Sequence, residues 1–172
     1  HAGRSIAGAR VLLIGAGGAA AGALGPLLAE RPAQVLVANR SEQRADALVA
    51  RHAQAAVQAG CELRASGLEA CQDGRERNFD LVVNASASSL AGVEVPVAAS
   101  VLAPGALALD MMYGPAAEPF MTWASRAGGQ ARDGLGMLVE QAAEAFVFFG
   151  GDRPATAGVL AELRARLASA QR

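Results

Sequence analysis

Lysine is missing from this sequence: all fifteen basic residues among its 172 positions are arginine. Any chemistry that needs a lysine, as a Schiff base or a proton-transfer group, must therefore find it outside this chain. Cysteine is nearly as scarce. Cys61 and Cys71 are too few and too far apart for a C-x-x-C metal or redox motif and read as reduced thiols. There is no excess of positive charge either, since the formal net charge is -1 and the pI about 6.2. That balance excludes the basic field that a nucleic acid or an anionic membrane surface would require. No apolar run reaches the roughly 18 residues of a membrane span before Gly, Pro or charge breaks it. No basic region followed by an apolar stretch opens the chain, so no secretory signal is expected and the reading is cytoplasmic. His1 and the AGRSIAG that follows read as an interior start.

What is present is core material, 52% hydrophobic residues, arranged as short apolar runs alternating with helical stretches. RVLLIG (10–15), QVLVAN (34–39), DLVVNAS (80–86) and ALALDMM (106–112) read as buried parallel strands. CELRA (61–65) alternates weakly as a further strand, and QAR (130–132) as a short last one. Helices are expected over 17–30, from a Ser41 N-cap to about Ala56 with Ala45, Leu48 and Val49 inward, and over 120–128, 135–149 and 156–169. The predicted fold class is α/β, a doubly wound parallel, Rossmann-like sheet with helices on both faces. One domain is expected over 1–153, with 154–172 as a C-terminal helix. Ligands of such sheets bind at the carboxyl ends of the strands. The segments to read are therefore 15–19, 39–44, 84–89 and 110–113.

The first of these, GAGGAAA (15–21), carries Gly15-x-Gly17-x-x-Ala20, the dinucleotide fingerprint in its Ala variant. Gly15 permits a tight turn off the strand, Gly17 lets backbone approach a pyrophosphate, and Ala20 keeps helix close to sheet. The fingerprint alone is weak, but here it follows an apolar strand and opens a helix, which is the context it needs. The competing reading is flexible Gly/Ala packing between helix and strand.

In the second segment, NAD-specific sites place an Asp or Glu about 20 residues past the glycines, on the ribose 2′-hydroxyl. Positions 39 and 40 are Asn and Arg, and Ser41 and Arg44 follow. A carboxylate there would repel a 2′-phosphate, whereas guanidinium groups bind it with charge-assisted hydrogen bonds. NADP is the expected cofactor. The competing reading is a solvated helix start whose arginines pair with Glu42 and Asp46, although Arg in a first helical turn opposes the helix dipole.

Together LLIGAGGAA, NRSEQRADAL, VVNAS, DMMYGPAAEPF and above all DGLGMLVEQAAEAF resemble the NADP-binding half of the shikimate dehydrogenase family, from about Gly8 to the end. By position, the resemblance implies pyrophosphate contacts at Gly15, Ala16, Gly17, Gly18 and Ala19, and 2′-phosphate contacts at Asn39, Arg40, Ser41 and Arg44. It implies a further cofactor contact at Ser86, nicotinamide-flanking residues at Met111, Gly134 and Met137, and shikimate contacts at Tyr113 and Gln141. The chain departs from the family's usual residues at Ser86, Ser89 and Glu118. Read without the resemblance, Met111 and Met137 are core fillers and Tyr113 a cap on the sheet. Gln141 is a polar group on an apolar stripe that needs either a ligand or a backbone carbonyl. Asp110 and Asp133 read as structural, and His52 as an exposed residue without a catalytic role.

The resemblance also implies what this chain does not carry. The family's proton-transfer Lys–Asp pair and its carboxylate-holding serines belong to an N-terminal substrate domain, expected upstream of His1, so no catalytic residue is expected here. The implied activity is NADPH-dependent reduction of 3-dehydroshikimate to shikimate, with this chain alone inactive. Leu160, Leu163 and Leu167 on the last helix are expected to pack on the missing domain. One alternative is a quinate/shikimate dehydrogenase using NAD, and another is a non-catalytic NADP-binding regulatory or scaffold domain. No metal is expected.

Overall fold

A computed structural model describes residues 3–88 and 97–170; Ser89 and the terminal residues lie outside them. Six strands form one parallel sheet in the order β3-β2-β1-β4-β5-β6. They are β1 (Arg10–Ile14), β2 (Gln34–Asn39), β3 (Glu62–Gly67), β4 (Phe79–Asn84), β5 (Leu102–Asp110) and β6 (Gln130–Arg132). The helices are α1 (Gly18–Ala29), α2 (Glu42–Ala59), α3 (Glu69–Gln72), α4 (Glu118–Arg126), α5 (Leu135–Phe148) and α6 (Thr156–Ala170). This is the expected doubly wound architecture. The order reverses between β1 and β4, where such a sheet opens a crevice at its carboxyl edge.

Burial follows from the two-residue period of a strand. On one face Val11, Leu13, Val35 and Val37 pack under Leu24 and Leu28 of α1 and Leu48 of α2. On the other, Leu12, Ile14, Leu36, Val82 and Ala108 pack with Cys71 of α3 and with Phe120 and Ala124 of α4. The central strands β1 and β2 are covered on both faces and so read as unbroken apolar runs.

Two expectations need correcting and one, the Ser41 N-cap, needs refining. Segment 106–112, expected as a fully buried strand, is half open, and its strand begins earlier, at Leu102. Ala106 and Ala108 are buried on the α4 face, while Leu107 and Leu109 are half-buried and line a cavity between α1 and α5. An apolar run carries no information about whether a second layer covers both of its faces. Ser41 does stand at the N-cap of α2, but its hydroxyl donates to Gln43 Oε1 and makes no cap bond. His52 is half-buried, its Nδ1 3.0 Å from the Leu48 carbonyl, because a ring one turn along can fold back on its own helix.

Candidate functional site

The crevice starts where β1 runs into α1. Gly15 is buried at φ +109, a conformation that disfavours any side chain, and its amide donates to the Ala38 carbonyl at 2.8 Å. A Cβ there would lie 2.9 Å from the Ala85 carbonyl oxygen and 3.1 Å from the Ser86 nitrogen, so the turn is pressed against the end of β4. Ala16 is half-buried, while Gly17, Gly18 and Ala19 are exposed, and nothing stands within 4 Å of a Cβ built on Gly17 or Gly18. The first turn of α1 holds no acidic residue. Open space, bare amides and the positive end of a twelve-residue helix make a cradle of the kind that suits a phosphate.

At the end of β2, the Asn39 side chain donates to the Ser41 carbonyl at 2.9 Å, which fixes the turn. Arg40 and Arg44 are both exposed, and neither forms an ion pair or side-chain hydrogen bond among the described residues. The expected alternative, pairing with Glu42 and Asp46, is therefore not what the fold adopts. Glu42 instead stands in the first turn of α2, where it offsets the unfavourable arginines. Two cations are left facing solvent beside the crevice.

The ends of β4 and β5 are joined by buried polar groups. Asn84 and Asp110 are both fully buried and adjacent in register. The Asn84 amide donates to Asp110 Oδ2 at 3.0 Å, and the Met112 N–H donates to Asp110 Oδ1 at 2.8 Å. Ser86 donates from both its N–H and its hydroxyl to Asn84 Oδ1, at 3.2 and 2.7 Å, and its Oγ lies 2.7 Å from Ser88 Oγ. Asp110 is thus structural in the sense expected, while Asn84 and Ser88 lie in the 84–89 segment that the sequence singled out but were given no role of their own. Their signal was a polar residue closing an apolar strand in VVNAS, since a buried amide must find partners.

Gly134 opens α5 under tight constraint. Its amide donates to the Met112 carbonyl at 2.7 Å, and a Cβ on it would fall 2.2 Å from the Met111 carbonyl oxygen. Asp133, buried, accepts from the Leu135 N–H at 3.3 Å and takes both terminal nitrogens of Arg164, at 2.8 and 2.5 Å. These bonds hold the Arg164 guanidinium above its usual pKa. The link ties α6 to the start of α5, and α6 packs along α5 within this chain. Its Leu160, Leu163 and Leu167 are half-buried, and Leu167 would lie 3.8 Å from a Cβ on Gly114.

A cavity of about 1140 Å³ brings part of the predicted set together: Gly18 and Ala19 of α1, Met111 at the end of β5, and Met137 and Gln141 of α5. Leu81, Val83, Leu107 and Leu109 form its floor. Gln141 is exposed there, and its side chain has no hydrogen-bond partner among the described residues. Tyr113, 41% exposed, and Ser86 lie outside this lining, as do Arg40 and Arg44. The segment around Gly3–Ile6 lines the cavity as well, which the sequence did not announce. No group of three or more His, Cys, Asp or Glu that would hold a metal exists among the described residues. No described helix is long and apolar enough to cross a membrane.

The family description "Shikimate / quinate 5-dehydrogenase" matches residues 1–102. The chain belongs to that family. Among its relatives is a protein of Methylibium petroleiphilum named shikimate dehydrogenase (NADP(+)), 61% identical over 96% of this chain and 55% of the relative. A protein of the same name from Acidovorax ebreus is 58% identical over 98% of this chain and 58% of its own length. The chain thus spans little more than half of these dehydrogenases. Among solved structures, the Ael1 enzyme of Pseudomonas putida matches with a TM-score of 0.79 and 44% identity, over 94% of this chain and 56% of that one. The Thermus thermophilus shikimate 5-dehydrogenase in complex with NADP(H) and shikimate matches at 0.67 with 31% identity, over 91% and 54%.

Proposed function

We propose that this chain is the NADP-binding part of a shikimate dehydrogenase, which reduces 3-dehydroshikimate to shikimate with NADPH. The observation that carries the cofactor is the pair of unpartnered guanidinium groups, Arg40 and Arg44, where an NAD site would hold an acid. The names of the 61% and 58% identical relatives support the substrate. The residues fit the cofactor: Gly15 to Ala19 offer amides and open space, and Asn39, Arg40, Ser41 and Arg44 offer a cationic turn for a 2′-phosphate. Ser86, Met111, Gly134 and Met137 would flank the nicotinamide half, and Tyr113 and Gln141 would reach the substrate. The cofactor, when bound, supplies hydride exchange with the ring carbon of the substrate. The chain's own residues bind, orient and exclude water. The oxygen at the reacting carbon must also gain or lose a proton through a positioned group. The sequence has no lysine, so we assign that proton transfer to the substrate domain that the family carries upstream of this segment.

Two measurements test the reading together. Titration of the chain should show NADPH binding well above NADH, and Arg40→Ala should remove most of that preference, a loss of roughly tenfold or more in NADPH affinity alone. Equal affinities in the unmutated chain would refute the phosphate clamp and favour the NAD-using quinate/shikimate reading. The chain alone should leave shikimate unoxidised, and steady turnover by it would overturn the placement of the proton-transfer groups elsewhere.

A further inference from the structure

The last helix reaches two turns of the crevice at once. Arg164 and Leu167 stand three residues apart and so share one face of α6. The Arg164 guanidinium lays both terminal nitrogens on Asp133, at 2.8 and 2.5 Å, in the fork geometry of an arginine–carboxylate pair. Leu167 lies beside Gly114, in the turn that follows β5. At the other end of α6, the Thr156 hydroxyl donates to Glu140 at 2.7 Å, so α6 is tied to α5 at two points.

What Asp133 does next to that pair gives the pair its reach. Its carboxylate is 6% exposed, and its other hydrogen bond among the described residues comes from the Leu135 N–H at 3.3 Å. Gly134, the next residue, donates to the Met112 carbonyl at 2.7 Å and stands too close to Met111 to carry a Cβ. Met137 and Gln141, one and two turns further along α5, line the cavity of about 1140 Å³ that separates α5 from α1. The start of α5 is therefore braced by the sheet and by α6. A nearly buried carboxylate stripped of its guanidinium is driven toward water or new partners. Moving it draws Gly134 off Met111 and Met112 and tilts the first turns of α5. We infer that Arg164 is a positioning residue for the nicotinamide end of the crevice: by pairing with Asp133 it sets where Gly134, Met137 and Gln141 stand, without touching a ligand itself. The pair makes no hydrogen bond to Gly15–Ala19 or to Asn39–Arg44, so the adenosine end is left out of its reach. This rests on the dinucleotide site proposed above.

The test removes the guanidinium and then the charge it neutralises. Arg164→Met keeps an apolar stem on α6 and leaves the Asp133 carboxylate without its partner. Adding Asp133→Asn removes that stranded charge, and the amide oxygen still accepts from the Leu135 N–H. Each variant is titrated with NADPH and with adenosine 2′,5′-bisphosphate, which lacks the nicotinamide half, at a temperature where circular dichroism shows the parental helix content. Arg164→Met should weaken NADPH about fivefold or more and leave the bisphosphate unchanged. The double variant should recover most of the NADPH affinity, which a loss of α6 packing alone would not allow. An unchanged NADPH affinity in Arg164→Met overturns the inference, and so does equal loss of both probes or a double variant as weak as the single one. If the unmutated chain binds neither probe, the dinucleotide reading fails and takes this inference with it.

Discussion

A residue with no side chain sets one of the tightest constraints in the molecule. A Cβ on Gly134 would sit 2.2 Å from the Met111 carbonyl oxygen and 2.6 Å from its carbon, and backbone has no flexible end that moves aside cheaply. Gly134→Ala should therefore lower the stability measured by urea unfolding by about 1–3 kcal/mol, as overpacking does. It should also shift the Met111–Met112 turn, so NADPH affinity should fall with it. An alanine variant of parental stability would show that α5 pivots freely at its start. Position 134 was named in the sequence as a nicotinamide neighbour, yet the cause lies in its distance to β5, which no local pattern encodes. Buried Cys71 makes the same point about environment: burial pushes its thiol up to about 12, which makes it an inert core residue.

At the scale of elements, the helices and strands were largely legible because each carries its own period. α5 stands where the apolar spacing placed it, β6 stands where QAR was read as a short last strand, and α2 runs on from Ala56 to Ala59 before the left-handed Gly60 ends it. The short α3 was missed, since four residues carry no periodicity to read. How α6 docks was also beyond the sequence. Its hold on α5 includes Arg164 on Asp133, Thr156 on Glu140 at 2.7 Å, and Arg153 reaching both Glu140 and Glu144. Arg164 is 46% exposed but its partner only 6%, so the pair is screened on one side and removing it leaves a nearly buried carboxylate. Arg164→Ala should cost on the order of 1 kcal/mol. Amide exchange should speed up across 156–170 and stay unchanged in the sheet. Uniform acceleration throughout would mean that α6 is part of one cooperative unit with the core.

The whole molecule is defined as much by the face it leaves open as by its core. Leu107 and Leu109 lie on the floor of the 1140 Å³ cavity between α1 and α5, while their alternating neighbours Ala106 and Ala108 are sealed on the other side. Phe148 and Phe149, each 85% exposed, add apolar surface at the far end of α5. An apolar dye such as anilinonaphthalene sulfonate should bind the folded chain in this cavity. Gly22 lines it from an exposed position on α1, with nothing within 4 Å of an added Cβ. Gly22→Trp should fill the space and suppress the dye signal without unfolding the chain. A signal that survives the substitution would place the dye elsewhere, at the aromatic end of α5.

The sequence by itself determined the class of fold, the Gly-rich turn and the cationic turn. Those features are local: a strand, a turn and a helix N-terminus are contiguous in the chain, and the missing acid and missing lysine are facts of composition. Only the tertiary structure decided that Arg40 and Arg44 stay unpaired among the described residues, that one face of β5 stands open, and that Asp110 and Asn84 meet across neighbouring strands. Each of those depends on residues far apart in sequence reaching, or failing to reach, hydrogen-bond distance. Periodicity fixes which way a side chain points from its own element; the packing of elements fixes what it meets there.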